Sequence, residues 1–494
     1  MAVFIFMFFV FAILLTKVLR HITRGCHGVP YVPIYLTFYD SCRGVQQVDF
    51  YNSRLRPLLQ KHGAVNIWDA GQWTLLVTKP RYLAQIFRDE RAIAKGGFYR
   101  KSPHGAMASL FGENIIDSHG DVWKQFTAIM KPGIRRAPDI TSLTVTAEKL
   151  VSLLAIRQSQ TIPGQGIIIN ELIQRWALDA FGECFLDVNF GCLDNDNCRI
   201  QNALQGVLLS FAGPLLLAFP LLERICWLLL PSRRRSFALV RELETVLLEQ
   251  TDTLHPQVKY GDHLSETSEK LIYRLNRAQW TGQMSDFHYR SNLKMMLFAG
   301  HENAKSSLIS TLWELAKHPR ILEKLYLEVA PCDPDSPDNL KGLPYLTAVI
   351  YETLRLYPPL NQLINRVASK PIDLDDGITI PQGTWVGWSA YGVHTDPNVW
   401  GPSANEYLPE RWGDDISTIN RAVRRHQIAG SFIAFSTYSR MCIGSEFALM
   451  QLRLTLSAIV RRFIWTKDPR HEPSMSTKAA LMPEDCRLIF QQRC

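Results

Sequence analysis

The chain has 494 residues, of which 47% are hydrophobic and 20% charged, with a formal net charge of +8. This balance supports a large buried core and excludes a disordered or low-complexity chain. The positive excess is modest and spread out, which suits an anionic membrane surface or an acidic partner protein; no nucleic-acid-binding motif accompanies it.

Residues 1–19, MAVFIFMFFVFAILLTKVL, form an almost uninterrupted apolar run, close to the roughly 20 residues a helix needs to cross a bilayer. Lys17 can snorkel at its end. Lys17, Arg20 and Arg24 follow the run and no charged side chain precedes it, so the positive-inside rule leaves the body of the chain in the cytosol. A cleaved signal peptide is the competing reading, but it would begin with a basic region and end in small residues. Residues 20–36 read as a basic hinge that Pro30 and Pro33 stiffen. Length alone suggests about three domains. No flexible linker follows the hinge, however, so residues 37–494 are expected to make one large domain.

Strand-like runs occur at AVNIWDA, WTLLVT and TWVGWSA, while helical periodicity dominates the middle and the C-terminal half. In SHGDVWKQFTAIMKPG, Trp123 offers an indole N–H donor. The run VLLSFAGPLLLAFPLLERICWLLLP is apolar enough to suggest a second span, but Pro214, Pro220, Glu223 and Arg224 interrupt it. It reads either as a buried helix pair or as a lid dipping into the bilayer. Arg233, Arg234 and Arg235 beyond it either meet lipid headgroups or stay solvated.

A helix is expected from about Phe287 to Lys317, enclosing LFAGHENAKSSL. Ala299 and Gly300 are small enough for it to open locally there, a disturbance that often marks functional sites. His301, Glu302 and Asn303 could equally be polar positions on a solvated face. In YETLRLYPP, Glu352 and Arg355 share a helix face, and Pro358 and Pro359 stop that helix near Tyr357. NQLINRVA adds Arg366 and YLPERW adds Arg411.

Last comes FSTYSRMCIG, followed by the helical pattern SEFALMQLRLTLSAIVRRF. Cys442 precedes a helix N-terminus, whose roughly half positive charge stabilises a thiolate. Arg440 carries a planar fork suited to a haem propionate. Gly444 lets the backbone turn beside a flat macrocycle, and Phe435 offers apolar cover for the sulfur. A thiolate on haem iron favours O–O cleavage, so the segment points to oxygen chemistry. The other cysteines show no paired metal spacing and are expected to stay reduced in a cytosolic domain.

Taken in order, these motifs closely resemble the cytochrome P-450 family, of microsomal type, over nearly the whole chain. The resemblance implies a mainly α fold with small β-sheets, one large domain and an N-terminal transmembrane anchor. It implies haem b with Cys442 as the axial ligand of iron, contacted by Arg440, Trp123, Arg366 and Phe435. Glu352, Arg355 and Arg411 would form a buried triad beneath the haem, and Gly300, Glu302 and Asn303 would belong to the catalytic segment. The apolar run before Arg233 covers substrate entry in the family, which favours the lid.

Three positions depart from the family pattern: Tyr438 stands for glycine, Asn303 for threonine and Thr127 for an arginine, with Lys124 the nearest cation. A carboxamide can donate a hydrogen bond and hold water but has no hydroxyl to relay a proton. Glu302 is therefore expected to be the proton source and Asn303 to orient water.

The implied activity is a membrane-anchored monooxygenase that inserts one atom of O2 into a lipophilic substrate. Electrons would come from NADPH through a separate NADPH-cytochrome reductase, with a single pass through the endoplasmic reticulum membrane and the catalytic domain in the cytosol. The AGHEN run, the WKQFTAIMKPG run and the proline hinge look like fungal members, among them dityrosine-forming and cyclic-dipeptide-toxin pathway enzymes. That implies an aromatic, amino-acid-derived or diketopiperazine substrate in secondary metabolism, by analogy. Two alternatives stay open: an oxygen-independent isomerase or dehydratase on the same scaffold, prompted by Asn303, and a non-catalytic haem-binding protein.

Overall fold

Ser285 begins the longest helix by accepting the His288 amide at 3.2 Å, and a second helix starting at Pro319 ends it. This computed structural model describes residues 26, 28–211, 213, 216, 218–220, 222–223, 230–252, 270–332, 337–477 and 480–493. The expected anchor at 1–19 and the first part of the hinge lie outside the described residues. Among those described, no helix is long and apolar enough to cross a membrane.

The helices that frame the site are α1 (Gly120–Arg135), α2 (Asn170–Phe181), α3 (Asp286–Lys317), α4 (Pro344–Leu356) and α5 (Ser445–Arg462). Helix α3 is buried on nearly every side from Tyr289 to Leu297 and again from Ala304 to Ala316. A helix buried all round in this way belongs at the centre of a large core. Helix α4 stops at Leu356, where the Tyr357 amide returns to Thr353 O at 2.7 Å before the two prolines.

The strands are β1 (Ala64–Asp69), β2 (Gln72–Val77), β3 (Ile93–Lys95), β4 (Ile167–Ile168), β5 (Gln362–Ala368), β6 (Ile372–Leu374), β7 (Ile378–Ile380), β8 (Trp385–Ser389), β9 (Phe463–Lys467) and β10 (Arg487–Gln492). The three expected runs are β1, β2 and β8. They meet in one five-stranded sheet of order β1-β2-β8-β5-β3, so segments far apart in sequence share a ladder. β2 runs parallel to β8, and β3 pairs antiparallel with β5, setting Lys95 directly opposite Arg366.

Three expectations change. Helix α3 runs as unbroken α-helix through Ala299 and Gly300. The space a side chain would take at Gly300 is filled by Phe181 of α2, whose Cδ2 would lie 2.2 Å from an added Cβ. Cys192 and Cys198 form a disulfide, so not every cysteine besides Cys442 is reduced; the turn between them brings their Cα atoms to 5.0 Å, within bonding range. Arg233 turns inward instead of meeting lipid or water, donating to Ser210 O at 2.8 Å beside the buried Glu223.

Gly300→Ala pits about 1 kcal/mol of helix propensity against overpacking of about 1–3 kcal/mol. Because the obstructing atom belongs to a buried ring, the second effect wins. Denaturant unfolding should show net destabilisation in this variant, whereas in a Phe181→Ala background, itself destabilised by loss of the ring, adding Gly300→Ala should cost nothing further.

Candidate active site

Beneath the site lies a carboxylate with no exposure to solvent. Glu352 accepts two bonds from Arg355, Nε to Oε2 at 2.9 Å and Nη2 to Oε1 at 2.8 Å. Arg411 Nε adds a third at 3.3 Å, the Leu408 amide a fourth at 2.9 Å and the Trp412 indole a fifth at 3.1 Å. A buried charge is tolerated only when so surrounded. Arg355 is itself saturated by the carbonyls of His394, Ala404 and Glu406 at 2.7, 2.6 and 2.9 Å. Arg411 reaches Trp400 O and Ser403 O at 3.1 and 2.7 Å. The three residues named from sequence thus meet, and they pin the loop 394–412 to α4.

The cysteine loop follows. The Cys442 amide donates to Phe435 O at 2.8 Å, and α5 starts just after Gly444. Ser436 and Tyr438 adopt φ of 58° and 56°. Such left-handed backbone costs a non-glycine residue roughly 1–2 kcal/mol. Tyr438, which stands for the family's glycine, therefore keeps the glycine conformation. Its hydroxyl donates to Ile428 O at 3.1 Å and its ring carries Arg88 at 5.7 Å, contacts that offset the strain. The Cys442 thiol is solvent-accessible, yet protein crowds it enough that desolvation raises its pKa, opposed by the Gly444 amide and Arg135.

Around the cysteine loop the structure gathers cations. Arg366 is fully buried; its Nη1 donates to Ile93 O at 3.2 Å, but its Nε and Nη2 have no partner. Burial lowers its pKa to about 10. Lys95, across the strand pair, is buried beside it, and desolvation together with Arg366 lowers its pKa. Asp117 lies close by, its carboxyl raised by burial. Arg440 stacks on Trp123 at 3.9 Å, donates to Ser118 O at 2.9 Å and is ion-paired with Glu90. Trp123, Arg366 and Arg440 are thus drawn into one neighbourhood. Lys124 is not: it is exposed and pairs with Asp121 at 2.8 Å. Orphaned guanidinium donors in a buried site demand an anion. Two carboxylates on a flat macrocycle fit that demand.

Helix α3 packs against α5, the helix that follows Cys442. Glu302 Oε1 accepts from Lys305 at 2.6 Å, and its Oε2 lies 3.4 Å from His301 Nε2. Desolvation raises the carboxyl, but Lys305 and His301 outweigh it and hold the pKa down at about 2. The Asn303 amide donates back to Ala299 O at 3.3 Å, one turn earlier.

A cysteine just ahead of a helix, beside Arg440 and a buried Arg366 whose donors lack partners, fits a haem-thiolate site. The family model described as Cytochrome P-450 matches residues 36–489. The chain is 37% identical to cytochrome P-450 monooxygenase xanG of Aspergillus fumigatus, covering 92% of this chain and 85% of that protein. It is 31% identical to cytochrome P-450-DIT2 of Saccharomyces cerevisiae, over 94% and 93% of the two chains. A lithocholate 6-beta-hydroxylase of Mesocricetus auratus is 25% identical over 76% of this chain and 72% of its own. The chain belongs to the cytochrome P-450 family and is a monooxygenase-type oxidoreductase that carries haem on the Cys442 thiolate.

Sequence reasoning missed Trp412, Glu90, Lys95 and Lys305. Trp412 adjoins Arg411 and Lys305 lies one turn beyond Glu302, so both had a local signal. Glu90 and Lys95 had none, since their partners sit hundreds of positions away.

Removing one partner of a buried ion pair costs about 3–5 kcal/mol. Urea unfolding of Arg355→Met should show a loss of that size. Arg411→Met, which gives up one longer bond to the carboxylate, should lose about 1.5–3 kcal/mol. The depressed Glu302 pKa also sets a pH window. Its stabilising contribution is fully present above about pH 4.5 and fades as pH falls towards about 2, on the order of 3 kcal/mol in all. The stability gap between the parent and Glu302→Gln, followed against pH, should close across that window.

Proposed function

We propose that this chain oxidises a lipophilic, aromatic, amino-acid-derived substrate of the diketopiperazine type in fungal secondary metabolism. The observation that carries the substrate class is the wall beside Ala299. Half-buried Phe111 and Phe298 meet edge to face at 5.3 Å, and Phe98 stacks on Phe111 at 6.5 Å. Aromatic surfaces of this kind accept rings edge-on or offset. The relatives from Aspergillus and Saccharomyces support a fungal setting.

Haem bound at Cys442 supplies the activation of O2 and insertion of one oxygen atom, with electrons from NADPH through a separate reductase. Arg366, Arg440 and Trp123 would hold its carboxylates. Glu302 is ionised at neutral pH. A proton would be relayed at its buried Oε2, which faces His301 Nε2, while Lys305 holds Oε1. Asn303, its amide committed to Ala299 O, offers its carbonyl oxygen to position a water. The apolar run at 1–19 anchors the domain to the endoplasmic reticulum membrane, with the catalytic domain cytosolic. The described parts of the 211–230 segment support a lid over the entrance, tied to β1 where the Trp68 indole donates to Ala218 O at 2.8 Å.

Reconstitution with a reductase tests the reading. Substrate-stimulated, NADPH-dependent O2 uptake is expected with an aromatic cyclic dipeptide. Peroxide consumption without NADPH would instead identify a rearranging enzyme, the reading that Asn303 favours. Glu302→Gln should slow turnover by on the order of 10²-fold and raise peroxide release, while the thiolate-type spectrum of the reduced carbon-monoxide complex stays unchanged. Equal coupling in parent and variant removes Glu302 from proton delivery.

A further inference from the structure

His394 ends the short helix Ala390–His394, and its ring is wholly buried between α4 and the cysteine loop. Nδ1 lies 3.0 Å from Arg355 O, and Nε2 lies 2.8 Å from the Ile433 amide nitrogen. A carbonyl only accepts and an amide N–H only donates. Nδ1 must therefore carry the proton and Nε2 must be bare: one neutral tautomer satisfies both bonds, and an imidazolium breaks the second. Burial agrees, pushing the pKa down to about 3.

The bonds also run the other way. Arg355 Nη1 donates to His394 O at 2.7 Å, so the two residues clasp each other by side chain and backbone. The imidazole stacks on Phe432 at 5.1 Å, and Phe432 packs on Trp412, the indole that binds Glu352. Ile433 in turn opens the cysteine loop: Ser436 N returns to Ile433 O at 2.9 Å, and Cys442 N to Phe435 O at 2.8 Å. Within the span that these two bonds close lie Ser436 and Tyr438, both left-handed without being glycine. Strained backbone persists only where its surroundings over-determine it. The far end of the loop is held by α5. The near end is held by the Ile433 amide, which donates to the buried His394 ring.

We propose that His394 is a positioning residue: it transmits the fixed geometry of the Glu352–Arg355 pair to the loop that presents the Cys442 sulfur, through its bond to the Ile433 amide. The proposal separates the two ring nitrogens. The bond to Arg355 O stabilises the fold, and the bond from Ile433 N–H sets the sulfur.

Asparagine and glutamine divide these functions. The shorter side chain of His394→Asn places its amide near the Nδ1 position and keeps a donor for Arg355 O. The longer side chain of His394→Gln reaches the Nε2 position and keeps an acceptor for Ile433 N–H. The experiment uses the full-length holoprotein, comparing the two variants by unfolding midpoint, haem retention and the spectrum of the reduced carbon-monoxide complex. Both variants should unfold earlier than the parent. His394→Gln should keep the thiolate-type band, whereas His394→Asn should convert at least half of it to the band of a protonated or displaced sulfur. Equal thiolate fractions in the two variants, or losses that merely follow the midpoints, overturn the proposal. Should neither variant fold, nitrogen NMR of histidine-labelled parent in its diamagnetic carbon-monoxide form decides: a neutral Nδ1–H ring with a hydrogen-bonded Nε2 is required, and any other state overturns it.

Discussion

Everything near the active site leans on one fully buried carboxylate. Glu352 accepts from two guanidiniums, an indole and a backbone amide, and the donors come from α4 and from the loop 408–412. Left unpaired, that charge would be among the most expensive groups in the molecule. The arrangement ties α4 to the 408–412 loop, because separating them would leave the charge without its partners. Arg355 then extends the constraint to three carbonyls, and His394 carries it on to the cysteine loop.

Rigidity of this kind lets the loop depart from its family pattern. Glycine at position 438 would adopt positive φ freely, and tyrosine does so only because its ring and hydroxyl are engaged by Arg88 and Ile428. The same logic applies to Arg366, whose orphaned donors are tolerable only in a protein that expects an anionic ligand there. Apoprotein and holoprotein should thus differ in more than colour, since the carboxylates of haem complete a charge network that the chain alone leaves open.

Helix α3 combines regular backbone with irregular chemistry. Gly300 serves packing against Phe181, so its small size belongs to the helix pair α2–α3. Glu302 is a carboxylate clamped by Lys305, and Asn303 commits its amide to the backbone. The segment thus offers a carboxylate at 302 and a carboxamide, not a hydroxyl, at 303.

Sequence by itself determined the chemistry-bearing positions that depend on local spacing: Cys442 ahead of a helix, Glu352 and Arg355 one turn apart, Arg411 in PERW, and the helix around Glu302. Strands β1, β2 and β8 were legible as short strand-like runs, and the end of α4 from the two prolines that follow it. Tertiary structure alone decided what depends on long loops closing. Glu90 found Arg440, Lys95 found Arg366 and Gly300 found Phe181. Periodicity reports which face of an element is apolar, but partner choice is settled by the packing of the whole core, where an unsatisfied buried charge or an overlapping atom is worth more than any local preference.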